Sequence, residues 1–154
     1  MSVRRLWMIG AGCALALVAL VAAIAAEDDQ LLATVDRPAI LTATPAKALE
    51  STAADQPAPR VIVHVTGYQP PQEGGIRGVI KVQKPDGSEQ EIGTFGVFPD
   101  TAFKADSSHA RRYGFPLPKE LATGPVKLKV EVVPDKPRAT GEGAQLEFGR
   151  AEIQ

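Results

Sequence analysis

Gly78-Val-Ile-Lys-Val-Gln-Lys-Pro-Asp-Gly-Ser-Glu-Gln-Glu-Ile-Gly-Thr-Phe-Gly-Val-Phe98 is the stretch that decides the fold. Pro85-Asp86-Gly87-Ser88 punctuates it. Pro presets φ, Asp caps its own turn, and Gly takes the left-handed position that other residues avoid. On either side, 78–84 and 89–98 carry the β-branched and aromatic residues that suit strands. The reading is a β-hairpin.

Downstream the pattern stays extended. Pro99–Arg112 is polar and reads as a loop, with Phe103 turned inward. Tyr113, Phe115 and Leu117 alternate with Gly114, Pro116 and Pro118, which says extended chain confined by its prolines to a sheet edge. Pro118–Leu121 can make one helical turn with Pro at its start. Val126, Leu128, Val130 and Val132 alternate with Lys127, Lys129 and Glu131, a strand with one buried and one wet face. Pro134–Gly143 reads as a long turn. In the closing strand Leu146 and Phe148 share a face, and a bulge at Gly149 would let Ala151 and Ile153 join it.

Upstream, Arg60-Val-Ile-Val-His-Val-Thr66 is apolar on both faces, as in a strand covered on both sides. No helix in 60–154 is long enough to serve as a parallel crossover. The expectation is an all-β domain, an antiparallel β-sandwich of about six to seven strands over residues 60–154. Residues 27–59 carry Pro38, Pro45, Pro57 and Pro59, one apolar cluster at Ala39-Ile40-Leu41, and no sustained period. They read as a flexible linker, with a weak helix over Ala46–Ala54.

Residues 1–26 read as a targeting segment. Arg4 and Arg5 precede an uncharged run from Leu6 to Ala26 that ends Ala23-Ile24-Ala25-Ala26. That is the layout of a secretory signal peptide. The same run is long enough to remain as an inner-membrane anchor helix. In both cases residues 27–154 are exported, to the periplasm or beyond, with membrane contact only through 6–26. Cys13 sits early in the apolar run and reads as a small apolar residue of the signal. Once 1–26 is removed, no Cys, Trp or Met remains, so disulfide and thiolate chemistry are excluded. Two of the 17 basic residues leave with it, so 15 bases face 18 acids. Nothing in that balance favours nucleic acid.

Motifs for chemistry are sparse. His64 lies within a β-branched strand, where a packed histidine is the ordinary reading. His109 lies in the polar run Ser107-Ser-His-Ala-Arg-Arg112, and a serine beside a histidine is no triad without an orienting acid and the right geometry. Two distant histidines do not make a zinc or copper site. Gly74-Gly75 and Gly93-x-x-Gly96 have no following helix that would make them phosphate loops. Glu89 and Glu91 read as a solvated strand face. No catalytic, cofactor-binding or metal residue is expected. The candidate partner contacts are Arg111, Arg112 and Tyr113: paired guanidinium donors for carboxylates, beside an edge segment.

A family resemblance adds a partner class. Gly93-Thr-Phe-Gly-Val-Phe-Pro99, Arg112-Tyr-Gly-Phe-Pro-Leu117 with Pro118-Lys-Glu-Leu121, Val126-Lys-Leu-Lys-Val-Glu-Val-Val-Pro134 and Leu146-Glu-Phe-Gly-Arg-Ala-Glu-Ile153 follow one another. In order and spacing they resemble the C-terminal β-sandwich domain of tyrosinase and polyphenol oxidase type copper enzymes. The resemblance spans 60–154. It implies a domain without chemistry of its own that packs against, supports or covers a helical dicopper domain. The copper-binding histidines of that other domain are absent here. The chain therefore resembles the appendage alone, an exported accessory domain for a separately encoded copper oxidase. The competing expectation is an envelope binding module for protein or carbohydrate unrelated to copper enzymes. Seven aromatics in 27–154 are about what one core needs, which weighs against sugar stacking.

Overall fold

The computed structural model describes residues 31–46, 58–106 and 108–154. The expected signal or anchor helix of 1–26 and the weak helix over Ala46–Ala54 fall outside these, except at Ala46. Among the described residues nine strands are formed: β1 (Leu32–Ala33), β2 (Ala39–Pro45), β3 (Arg60–Gln69), β4 (Ile76–Gln83), β5 (Glu89–Gly96), β6 (Phe103–Lys104), β7 (Arg111–Pro116), β8 (Val126–Pro134) and β9 (Gln145–Ile153). A 3-10 turn at Lys119–Leu121 is the helical piece among the described residues.

The hairpin that anchors the reading is β4–β5. Asp86 accepts hydrogen bonds from the Ser88 backbone N–H at 2.8 Å and the Ser88 hydroxyl at 2.6 Å. Gly87 takes φ +83°, the left-handed conformation the turn needs. The alternation in β8 also holds: Val126, Leu128, Val130 and Val132 are buried, and Lys127, Lys129 and Glu131 face outward. In β9 the bulge falls at Gly149. Val63 pairs with Ala151 and Val65 with Phe148, so Gly149 and Arg150 together oppose His64. The extra residue turns Ala151 and Ile153 into the core beside Leu146 and Phe148.

These strands belong to one sheet, in the order β5-β4-β8-β2-β9-β3, with β7 and the short β6 lying end to end along the outer side of β3, and with β1 paired to β9. Two expectations need correction. Residues 27–59 are not simply a linker, because β2 inserts between β8 and β9. Ala39, Leu41 and Ala43 point into the core and are almost fully buried. The compositional argument failed there because alanine and threonine carry little hydrophobic signal, yet small residues fit the middle of a crowded sheet. The sheet is also mixed, not purely antiparallel. β2 runs antiparallel to β8 and parallel to β9, since it fills the gap between two strands that themselves run in opposite directions.

β5 and β7 stand at opposite ends of the strand order, and no strand pairing joins them. Their side chains nevertheless meet: Phe95 lies 4.5 Å from Tyr113 and 6.0 Å from Phe115, ring centre to ring centre. The core runs from these rings through Ile80, Val130, Leu41 and Val63 to Leu146 and Phe148.

Candidate functional site

The candidate contacts Arg111, Arg112 and Tyr113 lie not in a loop but on β7, which pairs with β3 and ends at Pro116. Strand geometry then separates them, because successive side chains leave a strand on opposite faces. Arg111 and Tyr113 point to one side and Arg112 to the other. The two guanidinium groups do not form the single paired donor that their adjacency in sequence implied.

Arg111 belongs to an aromatic end of the molecule. Its guanidinium carbon stands 3.9 Å over the Phe103 ring centre, and Nη1 donates to the Phe98 carbonyl at 3.0 Å. A cation over a ring face at that distance is attracted by the ring quadrupole. Beneath it, Phe103 packs against Tyr68, whose hydroxyl donates to Asp100. Burial, and then the Asp100 carboxylate, push the Tyr68 phenol far above its ordinary value. Burial also raises Tyr113, against the nearby Arg111 charge, which lowers it. Phe98 is 88% exposed in the connection that leaves β5, by far the most exposed large apolar side chain among the described residues. An open groove of about 380 Å³ runs alongside, lined by Tyr68, Phe103, Lys104 and Glu147.

Arg112 belongs to a polar cluster on the outer face of β3, β7 and β9. His64, its side chain 5% exposed, places Nε2 3.4 Å from Glu152 Oε1. Around the same carboxylate stand Arg112 Nη2 at 3.5 Å, Arg150 Nη2 at 3.7 Å and the Gln154 amide, which donates at 2.7 Å. Desolvation raises the Glu152 carboxyl, but the His64 contact, Arg150 and Gln154 outweigh it and hold the group below its usual range. His64 is thus a buried side chain held against a carboxylate. Sequence reasoning missed Glu152 and Arg150 as its neighbours. The β9 bulge sets Gly149 and Arg150 together opposite His64.

His109 shows why adjacency of residue types is a poor guide. Asp106 Oδ1 accepts from the Ser108 N–H at 2.9 Å and the Ser108 hydroxyl at 2.5 Å, and lies 2.9 Å from His109 Nδ1. Ser108 Oγ is also 3.0 Å from that same Nδ1. A triad needs the acid on one ring nitrogen and the nucleophile on the other. Here both crowd one nitrogen on an exposed loop, and the cluster caps a turn. Ser108 first, then His109, hold Asp106 down at about 2. No group of three or more His, Cys, Asp or Glu side chains among the described residues could hold a metal ion.

In comparisons with known proteins, no family model, curated protein or solved structure matches this chain.

Proposed function

We propose that this chain is a non-catalytic, exported binding domain that engages another folded protein through its aromatic end. The observation that carries this reading is Phe98, whose ring is held almost fully in solvent while its carbonyl accepts from Arg111, the residue that stacks on Phe103. Exposing a whole phenyl ring is unfavourable by about 1.5–3 kcal/mol relative to burying it, so a ring held out invites a partner that covers it. Aromatic and arginine side chains clustered in this way are what interface hot spots are made of. We also infer that the mixed sheet is bent into the two layers of a sandwich, since β5 and β7, its outermost strands, meet through Phe95, Tyr113 and Phe115.

The partner class comes from sequence alone: the four segments that resemble the tyrosinase-type C-terminal domain point to a copper oxidase lacking that domain. The test is co-purification of the full-length protein with such an oxidase, using wild type, Phe98→Ser and Arg111→Ala. Loss of the complex in both variants is the expected result. Undiminished complex in Phe98→Ser would overturn the surface. Failure of every such oxidase to bind, with another envelope protein held through Phe98, would overturn the partner class and keep the surface.

A further inference from the structure

Two open grooves meet where β3 ends and β9 begins. One, of about 440 Å³, lies between the β1–β2 turn and the β8–β9 loop, with Thr34, Asp36, Glu142 and Gln145 in its walls. The other is the groove of about 380 Å³ beside Tyr68 and Phe103, and Gln145 lines it too. Gln145 therefore stands where one groove opens into the other. The resulting furrow crosses the ends of β1, β9, β3 and β6, which are neighbours in that order. At about 4.8 Å per strand it spans about 14 Å.

The walls of the first groove are fixed by their own backbones. In the β1–β2 turn, the Thr34 N–H donates to the Arg37 carbonyl at 2.8 Å, and the Arg37 N–H returns a bond at 3.3 Å. Opposite, the Ala144 N–H donates to the Gly141 carbonyl at 3.1 Å, and the Gln72 N–H to the Glu142 carbonyl at 3.0 Å. The walls touch at Gly141, where φ is +66° and a Cβ would come within 2.7 Å of Val35 Cγ2. A site held in this way loses little conformational freedom when it is filled. Its polar side chains are exposed and uncommitted. Among the described residues, no ion pair or side-chain hydrogen bond holds the Asp36 or Glu142 carboxylates. None holds the amides of Gln69 and Gln145, which pair across β3 and β9.

We propose that this furrow takes an extended segment of the partner protein, with a basic residue over Asp36 and Glu142 and an apolar residue at the Phe103 end. The inference rests on the reading that the aromatic end binds protein, and it names what is bound there. Two carboxylates without a cation of their own attract a lysine or arginine. The two glutamine amides, each with a donor and an acceptor, match the peptide groups of an extended main chain. At the far end lie Ala102 and the half-buried Phe103. Lys104 there is already paired with Glu147, so that end carries no free charge. At ~3.4 Å per residue the furrow is about four residues long, which sets the basic and apolar residues about four apart. The carboxylates repel a phosphate chain, so a nucleic acid does not fit.

The experiment uses the full-length protein and two fluorescent, end-capped peptides, Lys-Thr-Ser-Thr-Leu and Leu-Thr-Ser-Thr-Lys, one for each chain direction. Anisotropy should show binding of at least one, weakening as salt rises. Binding should weaken about threefold or more in Asp36→Asn/Glu142→Gln and in Gln145→Ala. It should be lost when Glu replaces Lys in the peptide, and stay unchanged in Glu120→Gln, an exposed acid on the 3-10 turn. Circular dichroism checks that each variant keeps the wild-type fold, and Gln145→Ala carries the test should the double variant unfold. No binding of either peptide, or equal binding by wild type and the furrow variants, overturns the proposal. So does binding of maltohexaose or single-stranded DNA with none of the peptides. Furrow variants that bind like wild type, while Phe98→Ser still loses its protein complex, overturn the furrow and keep the aromatic end.

Discussion

Lys129 and Val130 are neighbours in sequence with opposite roles. Val130 is fully buried, so Val130→Asp places an uncompensated charge in the core, a loss of several kcal/mol. Lys129 is not merely wetted. Its ammonium lies 3.1 Å from Glu89 and 3.1 Å from Glu131, and Glu131 also accepts from Lys81 at 2.7 Å. Lys129→Asp would set a third carboxylate beside two others, so we expect a loss of about 1 kcal/mol where the sequence alone suggests none. Urea melts of both variants check the order, and equal losses would contradict the register. Asp106 supplies a second residue-scale prediction. Its carboxyl is held at about 2, so the turn it caps is intact above the ordinary carboxylate range and opens as pH falls toward 2. The Ser108 and His109 amide resonances should shift together over that interval, and Asp106→Asn should flatten the response.

At the scale of elements, β2 is the most informative piece. A chain starting at Arg60 looks complete by hydrophobic pattern, but it would leave a gap between β8 and β9. The exposed strand edges and the lost partners of Leu41 would then be unsatisfied. We expect the fragment 60–154 to lack a cooperative thermal transition while the full chain shows one, by circular dichroism. Leu41→Asp in the full chain should act in the same direction. β7 teaches a related lesson. Its prolines correctly placed it at an edge, beside β3 alone. Its alternation was legible through Tyr113, Phe115 and Leu117, yet the strand begins two residues earlier, at Arg111. That shift is enough to send Arg111 and Arg112 to opposite faces.

Over the whole molecule, the titrating groups define a pH window. Glu131, held low chiefly by the Lys81 hydrogen bond, and Glu152, held low against desolvation by His64 and Arg150, favour the folded state while ionised. Their folded values are depressed, so that contribution is present above the ordinary carboxylate range and is lost as pH falls through it. Tyr68 and Tyr113 are raised, first of all by burial. Their contribution is present below 10, the ordinary phenol value, and is lost as pH rises past it. Denaturant midpoints should therefore form a plateau at neutral pH with a fall on each side. An unbroken rise toward either extreme would contradict the assigned contacts.

The β-rich class, the 85–88 turn, the buried row of β8 and the bulge at Gly149 were all determined by the sequence itself. Each rests on residues close in the chain: a period of two, a Pro-Asp-Gly, a glycine that interrupts an alternation. The strand order, the parallel β2–β9 pair and the gathering of His64, Arg112 and Arg150 around Glu152 were decided by tertiary structure alone. Those depend on which strands become neighbours. Neighbours far apart in the chain are chosen by how small residues such as Ala39 and Ala43 fill the core, a matter of shape that local composition does not encode. The same reason separates Arg111 from Arg112 and joins Arg112 to Arg150: a strand's pleat divides what the chain puts side by side, and the sheet's register reunites residues the chain holds far apart.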